Sequence, residues 1–305
     1  MPKVSMIIAT HSRPKLLPRA VKSAQAAGTD VEVVVVDDAS TDETAEVCQK
    51  LQGITYVRVE RNQQTAGARN IGLMVSSAPY VGFLDDDDWR LPGSLDRQVD
   101  LLDANPDCGL AYGRYALADQ NGRLLDEDPI PQRCPSGDVF WQVLSSNIFG
   151  CLTAVFRSEC ITRVGLLDAT IPGIDDWDLW VRISELYAVA ALEETVAVWT
   201  KPAPSSGQGS SDEMKLWILA DRAYRKKWLR LPRVTKEFGD HATWKHRAFL
   251  RGNAERMLCD ILFKTPSKKD QYKKLAKLVR RHPDRFLDLN FHKTIVKGVL
   301  LNRSG

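Results

Sequence analysis

Four short runs near the start of the chain, residues 4–10, 31–36, 54–59 and 80–84, are mostly apolar or β-branched and do not alternate regularly with polar residues. Strands buried on both faces read this way, and they belong to parallel sheets covered by helices on each side. Between the runs, residues 16–26, 41–51 and 68–75 carry apolar side chains at helical spacing, the first entered through Pro14. Ser40 followed by Glu43 is a capping-box pattern, which starts the second helix just after Asp37 and Asp38. Alternating strands and helices predict βαβ units in a doubly wound, mostly parallel sheet. Such sheets bind ligands beyond the carboxyl ends of their strands. Thr10, Asp37–Asp38 and Asp85–Asp88 all fall at such ends, so segments far apart in sequence converge on one crevice.

Further along, the spacing predicts a helix over 93–104, a strand over 110–117, an irregular excursion over 120–138, a strand over 152–156, a helix over 177–186 and one or two strands over 188–199. KPAPSSGQGSS (201–211) is a flexible loop by composition. Beyond it Leu216, Leu219, Ala220 and Ala223 recur at helical spacing and no strand pattern appears. We therefore expect an α/β domain over 1–205 and a helical region over 206–305. Net charge follows this division: residues 264–305 hold 8 Lys and 4 Arg against 3 Asp, a net +9, leaving −6 for the remainder of a chain whose total is +3. No apolar run approaches the 18 residues of a spanning helix, and the opening residues are too short for a secretory core. The expectation is a cytoplasmic protein. The six cysteines lack any C-x-x-C pair and read as reduced thiols.

FLDDDDWRLP places four carboxylates, Asp85 to Asp88, directly after an apolar strand. Unit charges about 4 Å apart repel by roughly 1 kcal/mol in water and about 4 kcal/mol at a protein surface, so a cation belongs among them. A divalent ion held by carboxylates suits a diphosphate-bearing ligand, because it neutralises charge on the departing oxygens. A bare Asp run also suits a solvated turn or a helix cap; the strand before it and W-x-L-P after it favour the ligand site. Asp37 and Asp38 close a buried strand, where a carboxylate can accept from a base N–H or a ribose hydroxyl or simply cap the following helix. In TAGARN, Gly67 permits close backbone approach and Arg69 offers a planar fork, for a phosphate or for a carboxylate of the acidic run.

KVSMIIATHSRP, VVVVDDASTDET, NQQTAGARNIG, YVGFLDDDDWRLP and GIDDWDLWVRI, in that order over roughly residues 1–200, resemble a family 2 glycosyltransferase with the GT-A fold. The resemblance implies a Rossmann-like domain, with nucleotide-sugar binding over about 1–117, the acceptor side over about 118–205 and a helical C-terminal extension. It also implies an inverting transfer from a nucleotide-diphosphate sugar, a UDP-sugar by preference, to a hydroxyl on a saccharide or lipid-linked acceptor. Mn²⁺ or Mg²⁺ is the implied cofactor, with Asp87 and Asp85 as metal residues. Ala9, Thr10, Asp38, Arg69 and Asp86 are the implied nucleotide contacts. Asp176 becomes the general base, with Asp175 beside it; a hydroxyl is a poor nucleophile at neutral pH, so a positioned carboxylate takes its proton as the new bond forms. Trp177 is a candidate floor for the acceptor, while Leu179 and Trp180 belong to the core. A lone His11 suits a structural or base-stacking role better than metal ligation. WTKPAPSSGQGSS brings Lys201 and no His to the segment with which relatives close over the diphosphate, leaving the third metal ligand unassigned.

Rival readings are a sugar-phosphate nucleotidyltransferase, which wants a Gly-rich loop that THSRPK does not supply, and an inactive carbohydrate-binding or scaffold module. KKDQYKKLAKLVRRHPDRF reads as a basic amphipathic helix ending near Pro283, followed by a second apolar set at Phe291, Ile295, Val296, Val299 and Leu300. Helices of this kind lie on anionic membranes or pack on the domain or on a homodimer partner. No motif accompanies the charge to indicate nucleic acid.

Overall fold

In the computed structural model, which describes residues 1–201, 213–239 and 267–281, four strands pair in parallel: β1 (Val4–Thr10), β2 (Val31–Asp38), β3 (Ile54–Val59) and β4 (Tyr80–Asp85). Met6, Ile7, Ile8 and Val34, Val35, Val36 are wholly buried, so both faces of the central strands are covered and the runs carry no polar alternation. Their order in the sheet is β3-β2-β1-β4. The chain thus moves outward from β1 to β3 and then returns to the other side of β1, creating a crevice at the carboxyl ends of β1 and β4. In register, Thr10 lies opposite Asp37 and Ala9 opposite Asp85.

The helices between these strands are α1 (Leu17–Ala26), α2 (Thr44–Lys50) and α3 (Gln64–Val75). The capping box does not form. Ala39 turns the chain at φ 60°, the Ser40 hydroxyl accepts from the Ser12 N–H at 2.8 Å, and Asp42 accepts from the Thr44 N–H at 3.1 Å. Helix α2 therefore starts later than its sequence pattern suggests. Helix α3 starts earlier, because Asn62 Oδ1 accepts the Gln64 N–H at 3.0 Å and Asp38 Oδ1 the Gln63 N–H at 2.6 Å.

After β4 come β5 (Trp89–Arg90), α4 (Ser94–Asp103), β6 (Cys108–Ala118), α5 (Phe140–Ser145), a 3₁₀ turn (Cys151–Thr153), β7 (Val155–Arg157), α6 (Glu159–Val164), α7 (Asp175–Leu186) and β8 (Ala188–Thr200). They extend the sheet as β4-β7-β6-β8-β5, with β6 and β8 parallel and the pairings of β7 and β5 antiparallel. The sheet is mostly parallel, as expected, with four of its seven pairings in that sense. The strand expected over 152–156 is instead a 3₁₀ turn followed by a shorter strand. Buried Arg90 donates to the Leu152 carbonyl at 2.7 Å and Gln98 to the Thr153 carbonyl at 2.8 Å, so side chains satisfy these groups in place of a ladder. Burial lowers the Arg90 pKa to about 9.

The chain divides into two compact units, Met1–Ser206 and Gly207–Gly305. In the second, α8 (Glu213–Lys226), a 3₁₀ turn (Trp228–Arg230), α9 (Pro232–Phe238) and α10 (Lys268–Arg281) are described. Ala220, Ala223, Tyr224, Trp228 and Val234 are buried, in keeping with the apolar spacing of that region. Helix α10 covers most of the predicted basic segment, and Lys273 and Arg280 on it are exposed. The loop residues from 202 and the apolar set at 291–300 lie outside the described residues. Among the described residues no helix is long and apolar enough to cross a membrane.

Helix α3 approaches β1 closely because residue 72 is glycine: a Cβ there would lie 2.3 Å from Ile7 Cγ2. Gly72→Ala is expected to lower the unfolding free energy by about 1–3 kcal/mol in chemical denaturation, since an overpacked core has no inexpensive relaxation.

Candidate active site

The carboxyl end of β1 supplies the first polar group of the crevice. Thr10, buried, donates from Oγ1 to Asp86 Oδ2 at 2.7 Å. Arg13, three residues on, places one guanidinium nitrogen 2.8 Å from Asp86 Oδ1 and 2.8 Å from Asp87 Oδ2. Burial raises the Asp86 pKa to about 6 against the opposing pull of Arg13 and Thr10. Arg13 was not singled out from the sequence. Its only signal there is its position just before Pro14 in the loop that leaves β1.

The structure separates the four aspartates that the sequence leaves equivalent. Asp85 pairs with Arg69 at 2.6 Å. Asp86 is held by Thr10 and Arg13. Buried Asp88 accepts the Thr200 N–H at 2.8 Å, tying the acidic loop to the end of β8; burial holds its pKa well above the usual carboxylate range. Arg19 supports the same junction by donating to the Asp87 carbonyl and to Thr200 Oγ1, with its guanidinium 4.1 Å from the Trp89 ring centroid. Asp85, Asp87 and Asp88 each present an oxygen, all within 4.8 Å of one another. Three hard oxygen donors of this kind fit Mg²⁺ or Mn²⁺, and Asp88 joins the two metal residues expected from the sequence.

Arg69 spans the two halves of the crevice. Its Nη2 reaches Asp85 and its Nη1 lies 3.0 Å from Asp175 Oδ2. The side chain is buried, with the Phe83 ring centroid 5.4 Å from its guanidinium carbon. Asp175 opens α7 and accepts the Gly173 N–H at 3.2 Å. Asp176 accepts its neighbour Trp177's N–H at 2.7 Å. Burial, followed by repulsion from Asp175, pushes the Asp176 pKa up to about 6, with Arg69 opposing. Cys151, which nothing in the sequence marked, lies close enough to feel the charges of Arg69 and Asp176, and burial pushes its thiol well up.

Trp177 is a correction. It is 5% exposed and its indole N–H donates to the Val143 carbonyl at 2.6 Å, so it joins α7 to α5 and does not floor an acceptor. Leu179 and Trp180 are buried as expected.

Asp37 and Asp38 divide their tasks. Asp37 is fully buried and accepts from the Ser40 N–H and the Tyr56 hydroxyl, each at 2.9 Å. Asp38 holds the start of α3 through Gln63 and is linked to the β1 loop by His11, whose Nδ1 lies 2.7 Å from the Asp38 carbonyl. Burial raises the Asp38 pKa. Asp38 makes no direct bond to the Asp86 or Asp175 clusters among the described contacts; it follows Asp37, which pairs with Thr10 in the β1–β2 register, and Ala9 pairs with Asp85. Three non-glycine residues with positive φ, Ser12 at 53°, Ala39 at 60° and Gln64 at 59°, follow β1, β2 and β3 in turn. Strain of this kind collects where loops are held for function.

The family model for glycosyl transferase family 2 matches residues 5–158, just over half of the chain. The chain belongs to glycosyltransferase family 2. The matched segment contains Thr10, Asp38, Arg69 and Asp85–Asp88 and stops ahead of Asp175 and Asp176. Among relatives of the family, the succinoglycan biosynthesis protein ExoU of Rhizobium meliloti (strain 1021) is 29% identical over 196 residues, which covers 59% of this chain and 56% of that protein. An uncharacterized glycosyltransferase of Haemophilus influenzae is 23% identical over 183 residues, covering 59% of this chain and 61% of its own. The chain thus spans less than two thirds of the length of these curated relatives. S. aureus TarS 1–349 in complex with UDP-GlcNAc superposes with a TM-score of 0.64 at 18% identity, over 97% of this chain and 88% of that one. The likeness establishes the fold as GT-A.

Within this family 2 domain, Asp37→Ala leaves the buried Ser40 N–H and the half-buried Tyr56 hydroxyl without their acceptor and is expected to cost about 2–4 kcal/mol of stability. Asp38→Asn keeps an acceptor for Gln63 and removes a buried charge, so it is expected to stay within about 1 kcal/mol of the parent. Thermal and urea unfolding of the two variants measure the contrast.

Proposed function

We propose that this chain transfers a sugar from a nucleotide-diphosphate sugar, a UDP-sugar, to a hydroxyl on a saccharide or lipid-linked acceptor, with inversion at the anomeric carbon. The observation that carries the reading is the single buried side chain, Arg69, paired with Asp85 on one side and Asp175 on the other. It ties a candidate divalent-ion loop to a pair of carboxylates at a helix start, which is the juxtaposition that a donor diphosphate and an acceptor hydroxyl need. The UDP-GlcNAc held by TarS supports the choice of a uridine donor.

Asp38, at the carboxyl end of β2, is assigned to the base or ribose; Thr10 and Ala9 border the same pocket and Asp86 faces the ribose. Asp85, Asp87 and Asp88 would hold Mn²⁺ or Mg²⁺, and a bound ion stabilises the charge that develops on the leaving diphosphate. Asp176 takes the acceptor hydroxyl's proton as that oxygen bonds to the anomeric carbon. The bond from that carbon to the diphosphate breaks, and its electron pair leaves with the phosphate oxygen. Arg69 bonds Asp175, and Asp176 beside it is the carboxylate whose proton affinity is raised by burial. Attack on the face opposite the diphosphate inverts the centre without a covalent intermediate.

Screening UDP-sugars with Mn²⁺ for donor binding by calorimetry and for release of UDP tests the proposal. Asp176→Asn is expected to lower transfer by at least about a hundredfold while donor binding survives; full transfer by that variant would refute the base assignment. Asp87→Asn is expected to abolish the metal-dependent part of donor binding.

The base works only when ionised, and Asp176 is protonated below about pH 6. The parent enzyme's transfer rate is therefore expected to fall about tenfold per pH unit below that value. A rate that stays flat down to pH 4.5 would show that the proton goes elsewhere.

A further inference from the structure

Arg13 is the cation that bridges Asp86 and Asp87. One nitrogen, Nη1, lies 2.8 Å from Asp86 Oδ1 and 2.8 Å from Asp87 Oδ2. The two partners differ in how else they are used. Asp86 is 5% exposed at its side chain and has a second anchor in the Thr10 hydroxyl. Asp87 is one of the three carboxylates whose oxygens converge within 4.8 Å. The guanidinium thus bridges a fixed carboxylate and a carboxylate of the candidate ion site.

Its backbone is pinned while its side chain is not enclosed. The Arg13 carbonyl accepts from the Leu16 and Leu17 N–H groups at 3.2 and 3.3 Å, and the preceding Ser12 N–H is tied to Ser40. The side chain remains 33% exposed. Rotation about its side-chain bonds is enough to leave Asp87 while the loop stays in place.

Resting on the reading of this site as a metal-and-diphosphate site, we propose that Arg13 is a positioning residue that holds Asp87 before the donor arrives and hands it over when metal and diphosphate enter together. Arg13 and a divalent ion compete for Asp87, so a free ion binds weakly. A diphosphate reverses the balance, because its charge attracts the displaced guanidinium, which keeps Asp86 as its pivot. Metal and nucleotide then bind with positive coupling, and that coupling passes through one arginine.

The test measures binding, not turnover. Mn²⁺ affinity is read from the free-ion electron paramagnetic resonance signal for the full chain, Arg13→Gln and Arg13→Lys, each with and without UDP. Removing a unit positive charge a few ångströms from a divalent ion at high effective dielectric is expected to tighten binding of Mn²⁺ alone by about tenfold in Arg13→Gln. The same variant is expected to lose most of the further tightening that UDP gives the parent, and Arg13→Lys, which keeps the charge, is expected to lie closer to the parent. Equal or weaker Mn²⁺ binding by a folded Arg13→Gln, with the parent binding normally, would overturn the handover and make Arg13 an organiser of the ligands. No Mn²⁺ binding by any of the three proteins, even with UDP, would instead remove the metal reading on which the handover depends.

Discussion

A buried guanidinium is tolerated only where carboxylates take up its charge, and Arg69 meets that condition by drawing Asp85 and Asp175 to itself. These residues belong to β4 and α7, with the strands and helices of half the domain between them in sequence. Separating the two carboxylates would strand a cation in a low-dielectric interior, at several kcal/mol. The position of Arg69 is in turn set by packing: Gly72, one turn further along α3, allows that helix to lie against Ile7 of β1. Side-chain volume at one position in a helix thereby governs how far an arginine reaches into a crevice.

The loops that follow the parallel strands are strained and cross-linked in a way that serves the same end. Ser12, Ala39 and Gln64 occupy left-handed backbone conformations, each costing on the order of 1 kcal/mol or more for a residue with a side chain. Bonds between loops offset this: Ser12 N–H to Ser40, His11 to the Asp38 carbonyl, Gln63 N–H to Asp38. The result is a rim of fixed backbone around acidic side chains, so the carboxylates need not reorganise when a ligand arrives. Preorganisation of this kind is where binding and catalysis gain most.

The framework was legible in the sequence because both-face burial leaves a dense apolar run in the central strands; β1 begins and ends where that run does, and the half-buried edge strand β3 keeps the bounds of its β-branched residues. Element starts were less legible where long-range bonds decide them. Helix α3 gains its first turn from Asp38 and Asn62, and α2 loses its expected cap because Ser40 bonds across to another loop. The acidic cluster was visible as chemistry but not as a division of labour, since four identical residues in a row carry no local signal. Their separation depends on Thr10, Arg13, Arg69 and Thr200, which approach from four places in the chain. Trp177 shows the same limit from the opposite side. A tryptophan next to two carboxylates suits a sugar platform, yet the Val143 carbonyl and the packing of α5 claim it for the core.

Asp175 and Asp176 show how one fixed charge sorts two adjacent acids. Two neighbouring carboxylates at a helix start repel each other, which adds to the effect of burial in raising a pKa, while a nearby cation opposes both. Arg69 bonds Asp175 at 3.0 Å, whereas Asp176 accepts the Trp177 backbone N–H at 2.7 Å. Burial, followed by repulsion from Asp175, pushes the Asp176 pKa up to about 6, and Arg69 opposes both. In the proposed transfer, that value lies close enough to neutrality for the group to be ionised at rest and still accept a proton as an acceptor hydroxyl attacks. The residue that joins the two halves of the site therefore also tempers the proton affinity of the carboxylate proposed as base.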